Sequence, residues 1–286
     1  MKREDFRFFD RLRVRWAEVD MQKIVFNGHY LMYFDTAVAG YWRAMALPYH
    51  ETMEQLQGDL YVRKATVEYL GSARYEDRCE VGLRCQRIGN SSLLFVAALF
   101  RGETLLVHGE LVYVFANPNT QTSQPVPPPL REVLQAFESG QAMWATELAD
   151  WHSAHAAALP IRTQVFAVEQ GVPVAMMSDE ADASARHVLV RNRLGMVVGS
   201  GRLVPLGEGQ SKIGRMAVLQ AVRGAGVGQQ MLQALLQAAR SQGDRAVVLD
   251  AQSSAVPFYR RAGFAEAGEP FEVAGIRHQH MRLALV

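Results

Sequence analysis

A glycine-rich segment in the second half of the sequence carries the clearest chemistry. Glycine stands at every second position from Gly224 to Gly228, directly after Arg223. The apolar run at 216–219 predicts a buried strand before this segment, and the helix formers of 229–240 predict a helix after it. This order favours anion binding, because the first helical amides lack partners and glycine lets the backbone approach. A glycine turn without a ligand is the alternative, and the spacing fits neither a dinucleotide fingerprint nor an NTPase P-loop.

The same segment resembles the pyrophosphate-binding motif of the GNAT N-acyltransferases, which use acetyl-CoA or another acyl-CoA. The resemblance rests on Arg223-x-x-Gly226-x-Gly228 and on three further segments. These segments are Ile161 to Pro173, the run Phe258-Tyr259-x-x-x-Gly263-Phe264 after a strand, and Phe271 to Met281. The resemblance covers residues 144–286 and implies an α/β domain with a mixed sheet flanked by helices.

This resemblance also implies roles for individual residues. Strand amides would hold the pantetheine and the thioester carbonyl, and the glycine loop would hold the pyrophosphate. The residues assigned to coenzyme A are Met216, Ala217, Val218, Arg223, Gly224, Ala225, Gly226, Val227, Gly228 and Phe258. Tyr259 would be the general acid for the departing thiolate, with a core aromatic as the alternative. The base for the amine acceptor stays open among four residues, namely Glu169, Asp250, Glu272 and His278.

Asp20 is the candidate for chemistry in the first half. It follows the alternating segment 11–19, which predicts a strand with one apolar face, and it precedes a helix predicted to begin near Gly28 or His29. A carboxylate there can attack a thioester carbonyl or activate a water. Amides around Gly28, His29 and Tyr30 can stabilise the resulting oxyanion. An aspartate that only forms a turn is the alternative.

The elements around Asp20 predict an α+β domain. Apolar residues at helical spacing over 30–45 nearly surround the helix, so we expect it to be buried, and Gly40 at its centre predicts a close approach of another backbone segment. Glu18 is interpreted as a surface charge. Alternating segments with short turns predict antiparallel strands at residues 60–69, 78–87, 93–101 and 104–116. A sheet wrapped around one long helix follows from this order.

This half resembles the hot-dog-fold acyl-CoA thioesterases of the 4-hydroxybenzoyl-CoA thioesterase type. The resemblance rests on residues 15–34, R-W-x-E-x-D-x-x-x-x-V-x-x-x-x-Y-L-x-Y-F, and on Tyr69-x-x-x-Ala73-Arg74-Tyr75-x-Asp77. It implies that Asp20 is catalytic and that the cleft lies between two subunits, so a homo-oligomer formed through this domain is expected. Lys23 stands where the family commonly has glycine, which predicts a different loop shape.

Composition sets the remaining expectations. The 286 residues carry a formal net charge of +1, which argues against nucleic-acid binding by bulk charge. We expect no membrane span, no metal site, no disulfide between Cys79 and Cys85, and a cytoplasmic location. Prolines in 118–130 predict an extended connector between domains at 1–140 and 145–286.

The two halves together predict a bifunctional acyl-CoA enzyme. The first would hydrolyse acyl-CoA thioesters, and the second would transfer an acetyl or acyl group from CoA to a small-molecule or peptide amine. The alternative is a single-activity enzyme, a thioesterase or an acetyltransferase, whose other domain only binds acyl-CoA or acts as a sensor.

Overall fold

The computed structural model describes residues 1–285 and separates them into two compact units, Met1–Met143 and a second unit that begins at Trp144. The helices are α1 (Asn27–Ala44), α2 (Tyr49–Gln55), α3 (Pro128–Glu138), α4 (Trp151–Arg162), α5 (Val227–Ser241) and α6 (Val256–Arg261). The strands are β1 (Phe8–Arg13), β2 (Asp59–Tyr69), β3 (Arg78–Ile88), β4 (Ser92–Arg101), β5 (Thr104–Ala116), β6 (Trp144–Ala149), β7 (Arg186–Asn192), β8 (Val197–Gly207), β9 (Gln210–Val218), β10 (Ala246–Gln252), β11 (Ala265–Glu266), β12 (Phe271–Val273) and β13 (Ile276–Ala284). Within that range no helix is long and apolar enough to cross a membrane.

The first unit is an antiparallel sheet in the order β1-β3-β4-β5-β2, packed against α1. The helical face that the spacing predicts is buried: Tyr30, Tyr33, Phe34, Ala37, Val38, Tyr41, Trp42 and Met45. The helix is not buried all round, because Leu31 and Met32 are exposed. At Gly40 an added Cβ would lie 2.9 Å from Asp10 Oδ1 and 3.0 Å from the Phe8 ring, so the close contact is made by side chains. The predicted α+β architecture is confirmed.

The predicted strand at 11–19 is wrong beyond its first residues. β1 begins earlier and ends at Arg13, and Trp16–Glu18 forms a 3₁₀ turn. The alternation of apolar and basic residues continues past Arg13, but the Glu18 carboxylate accepts the backbone N–H of Arg15 at 2.7 Å and closes a local turn. A side chain that captures nearby backbone competes with strand pairing in this way.

The proline segment packs into the first unit. Val126 N–H donates to Asn90 O at 2.7 Å, and Gln124 N–H donates to Phe115 O at 2.9 Å. Helix α3 begins at Pro128 and buries its apolar side. The expected extended connector is therefore a structured edge of the first unit up to α3.

Both cysteines are free thiols. Burial raises the pKa of Cys79 to about 11, and burial together with the Glu138 charge raises the pKa of Cys85 to about 12. The thiols are therefore protonated at neutral pH.

The second unit is a mixed sheet in the order β11-β13-β10-β9-β8-β7-β6, with β12 paired to β13. Helix α5 connects β9 to its parallel neighbour β10. The predicted apolar stripe of α5 is buried: Met231, Leu232, Leu235, Leu236 and Ala239. Strand β6, which pairs with β7, lies at the start of the second unit and was not predicted.

Candidate functional sites

The second unit contains a cleft where β9 and β10 separate. Their parallel pairing runs only from Gln210 with Ala246 to Ile213 with Leu249. Beyond these pairs the strands enclose a cleft of about 300 Å³. Its lining includes Gln170, Arg202, Lys212, Gly214, Arg215, Met216, Asp250, Gln252, Tyr259 and His278. The separation leaves space for a ligand at the edge of two central strands.

A β-bulge shapes the β9 side of this cleft. Ala217 pairs with Ser200 and Gly214 pairs with Arg202, so β9 has one residue more than β8 between these pairs. Arg215, within the bulge, has a φ of +52°. Bulges redirect side chains and backbone groups, and here Met216 lines the cleft while Ala217 is buried and Val218 pairs with Gly199.

The glycine loop joins β9 to α5 as predicted. Gly224 and Gly226 have φ values of +89° and +100°, a region that glycine enters without strain. Gly226 is the N-cap of α5, and no side chain caps that end of the helix in the described chain. The amides that begin with Val227 and Gly228 thus keep the free donors of a helix start. An added Cβ on Gly228 would contact Val218 and the Phe258 ring at 3.7–3.8 Å, so this loop lies directly beside the end of β9.

Arg223 is paired within the protein. Its Nε donates to Val218 O at 2.9 Å, and its Nη2 donates to Glu169 Oε2 at 2.6 Å. The guanidinium therefore clamps the loop to β9, and the Glu169 carboxylate compensates its charge. Any attraction for an anion comes mainly from the helix-start amides. Glu169, one of the four candidate bases, is thus engaged in an ion pair with Arg223.

Tyr259 lies on α6 and lines the cleft. Its ring packs edge-on against Phe258 and Phe264, and the residue is 8% exposed. Burial raises the pKa of Tyr259 to about 12. The hydroxyl therefore keeps its proton at neutral pH, as a proton donor must.

The candidate bases are not equivalent. His278 and Asp250 line the cleft, and Glu169 and Glu272 are not among its lining residues. Burial raises the pKa of Asp250, but hydrogen bonds and charge from Lys212 and His280 outweigh it and lower the value. The His278 Nδ1 lies 2.8 Å from Ile276 O, which fixes Nδ1 as the protonated nitrogen and leaves the Nε2 lone pair available.

The first unit contains a second cleft of about 280 Å³ at the start of α1. Its lining is Asp20, Gln22, Ile24, Val25, Phe26, Asn27, Tyr30, Tyr69, Gly71 and Ser72. Tyr30 and Val25 fix this region to the chain after β2, because the Tyr30 hydroxyl accepts Ala73 N–H at 3.0 Å and Val25 N–H donates to Ala73 O at 2.9 Å. The two segments of the thioesterase resemblance therefore meet here.

Asp20 begins a tight turn. Its carbonyl accepts Lys23 N–H at 3.0 Å, and its Oδ1 accepts Gln22 N–H at 2.8 Å. Lys23 has a φ of +62°, the left-handed region that favours glycine. The lysine thus occupies the backbone conformation that glycine would adopt freely. The turn-forming role of Asp20 is present, and its second carboxylate oxygen is left for other contacts.

The amides predicted to stabilise an oxyanion are only partly available. His29 N–H donates to Phe26 O at 2.9 Å, and Tyr30 is the fourth residue after the N-cap Phe26, the position at which a helix amide normally bonds within the helix. The free donors at this helix start are therefore Asn27 and Gly28. Asn27 was missed because the helix was predicted to begin one or two residues later.

Glu18 is not a surface charge, since it is 3% exposed. Its Oε2 accepts the Tyr33 hydroxyl at 2.7 Å as well as the Arg15 N–H, and its Oε1 accepts Arg15 Nε at 2.6 Å. Burial raises the pKa of Glu18, but these hydrogen bonds outweigh it and lower the value. Glu18 O also accepts Phe26 N–H at 2.9 Å. The residue therefore holds the Asp20 turn against α1.

Comparison with known proteins matches both units. A model described as the acetyltransferase (GNAT) domain matches residues 147–285, and one described as the thioesterase-like superfamily matches 14–137. The uncharacterized N-acetyltransferase YjcF of Bacillus subtilis (strain 168) is 38% identical over 122 residues, which are 42% of this chain and 86% of that protein. The chain belongs to the GNAT family through its second unit, and its first unit is similar to the thioesterase-like superfamily.

Two further proteins are similar to parts of the chain. The UPF0039 protein C11D3.02c of Schizosaccharomyces pombe is 33% identical over 127 residues, covering 44% of this chain and 84% of that protein. A thioesterase from Thermus thermophilus, crystallised with coenzyme A and Zn, is 25% identical with a TM-score of 0.42, covering 48% of this chain and 98% of that chain. In residues 1–285 of the present protein no group of three or more His, Cys, Asp or Glu could hold a metal ion.

Proposed function

We propose that the protein is a bifunctional acyl-CoA enzyme, with thioester hydrolysis in the thioesterase-like unit and acyl transfer to an amine in the GNAT unit. The observation that carries the proposal is that each unit has its own cleft, lined by the acidic or phenolic residue predicted for its chemistry, Asp20 or Tyr259. Acetyl-CoA or another acyl-CoA would be the shared substrate.

In the GNAT unit the pyrophosphate would bind at the glycine loop, and the thioester would lie where β9 and β10 separate. His278 Nε2 would take a proton from the amine as the amine nitrogen attacks the thioester carbonyl. The carbon–sulfur bond then breaks, and the Tyr259 hydroxyl protonates the coenzyme A thiolate. We select His278 over the other three bases because it lines the cleft and carries its proton on the nitrogen that faces Ile276 O.

In the thioesterase-like unit Asp20 would activate water. The water oxygen attacks the thioester carbonyl while its proton passes to the free carboxylate oxygen of Asp20. Amides of Asn27 and Gly28 would stabilise the oxyanion. Collapse of the intermediate breaks the carbon–sulfur bond and releases the acid and the coenzyme A thiol.

The thioesterase-like unit would act as a homo-oligomer. Strand β2 is an edge of its sheet, because within the described chain it pairs only with β5. Exposed apolar side chains include Val62 and Tyr69 on that strand and Phe26 at the Asp20 cleft, and others lie in the flanking segments and on α1, namely Trp16, Met21, Leu31, Met32 and Leu70. Unpaired edges and apolar patches of this kind favour association. Light scattering would show an oligomer for the native chain and smaller particles for Val62→Asp.

Paired assays test the two activities in the intact chain. Thioester cleavage is measured across acyl-CoA lengths, and amine acylation across an acceptor panel, for Asp20→Asn and Tyr259→Phe. We expect Asp20→Asn to lose hydrolysis and keep acyl transfer, and Tyr259→Phe to lose acyl transfer and keep hydrolysis. The activity that each variant keeps shows that the chain is still folded. Unchanged hydrolysis in Asp20→Asn would refute the first assignment.

A single-activity enzyme is the second candidate. The turn hydrogen bond from Gln22 N–H to Asp20 Oδ1 favours it, since it gives Asp20 a structural role without catalysis. In that case the thioesterase-like unit binds acyl-CoA without cleaving it. Saturable binding of a non-hydrolysable thioether analogue to this unit, with no hydrolysis of any thioester, would establish this alternative.

A further inference from the structure

One wall of the GNAT cleft is cationic. Among the described side chains that line the cleft, Arg202, Lys212 and Arg215 are basic and together form this wall, and Asp250 is the one carboxylate. Lys212 Nζ lies 2.6 Å from Asp250 Oδ2, so these two charges compensate each other. The arginines remain, and neither is used in the proposed transfer reaction.

Arg202 is largely satisfied by the protein. It is 9% exposed and donates to both carboxylate oxygens of Asp179, at 2.6 and 2.8 Å, and it lies 2.8 Å from Asp182 Oδ1. Asp182 also receives the fully buried Arg162 at 3.0 Å. Arg202 therefore anchors the two aspartates behind the wall.

Arg215 is less completely paired. Its Nη2 donates to Asp179 Oδ2 at 2.8 Å, where Arg202 already binds. The Nε atoms of Arg215 and Arg202 are both buried and have no hydrogen-bond partner among the described residues. A buried donor without a partner is unfavourable, so the protein itself does not satisfy the full hydrogen-bonding capacity of either guanidinium.

The charges of the wall do not cancel. The arginine, lysine and carboxylate groups of the wall and of the buried layer directly behind it are four cations, Arg162, Arg202, Lys212 and Arg215, and three carboxylates, Asp179, Asp182 and Asp250, the last of which also contacts the His280 ring. Burial lowers the pKa of His187, which lies behind Arg162, so this histidine adds no charge at neutral pH. One positive charge is left over, and of the two arginines that line the cleft Arg215 makes the fewer hydrogen bonds within the described chain.

The backbone holds Arg215 in place at a cost. A φ of +52° is unfavourable for a residue other than glycine, and strain of this kind concentrates at ligand sites. The bulge that creates the strain is the one that brings Arg215 and Met216 to the cleft. An arginine fork matches a carboxylate in charge and shape.

We propose that the acceptor of the GNAT unit is a small amine that also carries a carboxylate, which binds Arg215 beside Lys212. The inference rests on the proposed acyl transfer and names its acceptor class. A single negative charge matches the single surplus charge of the wall, which favours a carboxylate over a phosphate dianion. The cleft of about 300 Å³ must also admit the thioester end, so the acceptor has the size of an amino acid.

Product-like probes test the site without turnover. Binding of N-acetyl amino acids and of their carboxamides is measured by ligand-observed NMR on the full chain saturated with coenzyme A. We expect the carboxylates to bind about tenfold tighter or better, the range of a charge-assisted bond. Arg215→Gln should abolish the difference. Arg215→Gly should also abolish the difference, and because it relieves the φ strain it is not expected to destabilise the fold. Arg191→Gln is the control, because Arg191 is an arginine of the same unit that pairs with Glu147 at the surface.

The outcomes separate the two proposals. Equal binding of carboxylates and carboxamides, or a preference that survives both Arg215 variants, overturns the acceptor site even if amines are acylated. A carboxylate preference that depends on Arg215 supports the site. If no amine in a panel of amino acids and simple amines then consumes acetyl-CoA, the transfer function fails while the site stands.

Discussion

Removing the Glu18 carboxylate should destabilise the first unit and loosen the Asp20 turn. Glu18→Ala leaves the buried Tyr33 hydroxyl and the Arg15 N–H without the carboxylate that they bind at 2.7 Å. Hydrogen bonds to a charged group contribute about 1.5–3 kcal/mol each. The Arg15 side chain is 73% exposed and adds at most about 1 kcal/mol. Some relaxation offsets these losses, so we expect about 3 kcal/mol for Glu18→Ala and about half for Glu18→Gln.

The loss of unfolding free energy in the Glu18 variants should become smaller as the pH falls. The folded pKa of Glu18 is lowered, so its carboxylate stabilises the fold above the usual range of glutamate, near 4, and this contribution is lost as the pH falls through the folded value. The difference between the native chain and Glu18→Gln should be full at pH 7 and shrink below about pH 4. A difference that grows on acidification would contradict the assigned cause.

Hydrogen exchange measured by mass spectrometry checks the magnitude within the first unit. Opening free energies of α1 peptides should fall in the Glu18 variants, and α5 peptides in the second unit should be unchanged. The matched control is Glu103→Gln, because the Glu103 side chain is 90% exposed. If Glu18→Ala alters α1 protection no more than this control, the buried role of Glu18 is refuted.

Three other predictions concern Lys23, Gly226 and Tyr259. Lys23→Gly should raise the unfolding free energy of the first unit by up to about 1 kcal/mol, because it relieves a φ of +62°, whereas Lys23→Ala should not; thermal unfolding distinguishes them. Gly226→Ala and Gly243→Ala impose similar strain at φ values of +100° and +82°, but only Gly226→Ala should weaken acetyl-CoA binding in calorimetry. With a pKa of about 12, Tyr259 should cause no fall in the transfer rate up to about pH 10, and a Tyr259-dependent fall below that pH would oppose its assignment.

Much of the fold follows from local patterns. The apolar stripe of α5, the buried face of α1 and the meander of β3 to β5 were all predictable, because helix and strand periodicity report directly on burial. Both candidate residues line clefts, but they were found in different ways: Asp20 from its place between a predicted strand and a predicted helix, and Tyr259 only through the family resemblance.

The rest depends on partners that periodicity does not reveal. Glu169 binds Arg223 across 54 positions of sequence, and no local pattern in the sequence predicts this ion pair. Glu18 was assigned to a surface because its own side chain ends the strand that the alternation predicted. The bulge at Arg215 has no local signal, because arginine is not a residue that marks a left-handed conformation.

The short pairing of β9 and β10 has a consequence for the cohesion of the second unit. Hydrogen bonds join the two strands over only four residue pairs, from Gln210 with Ala246 to Ile213 with Leu249. The sheet thus has a narrow seam at its centre, with β6 to β9 on one side and β10 to β13 on the other. A molecule bound in the cleft contacts both β9 and β10 and so adds contacts between the two parts of the sheet. Binding of a molecule in the cleft should therefore slow the opening of β10 and β13 more than that of β6 and β7, because β6 and β7 lie at the far edge of the sheet. A ligand that binds only the folded state stabilises the elements that it contacts.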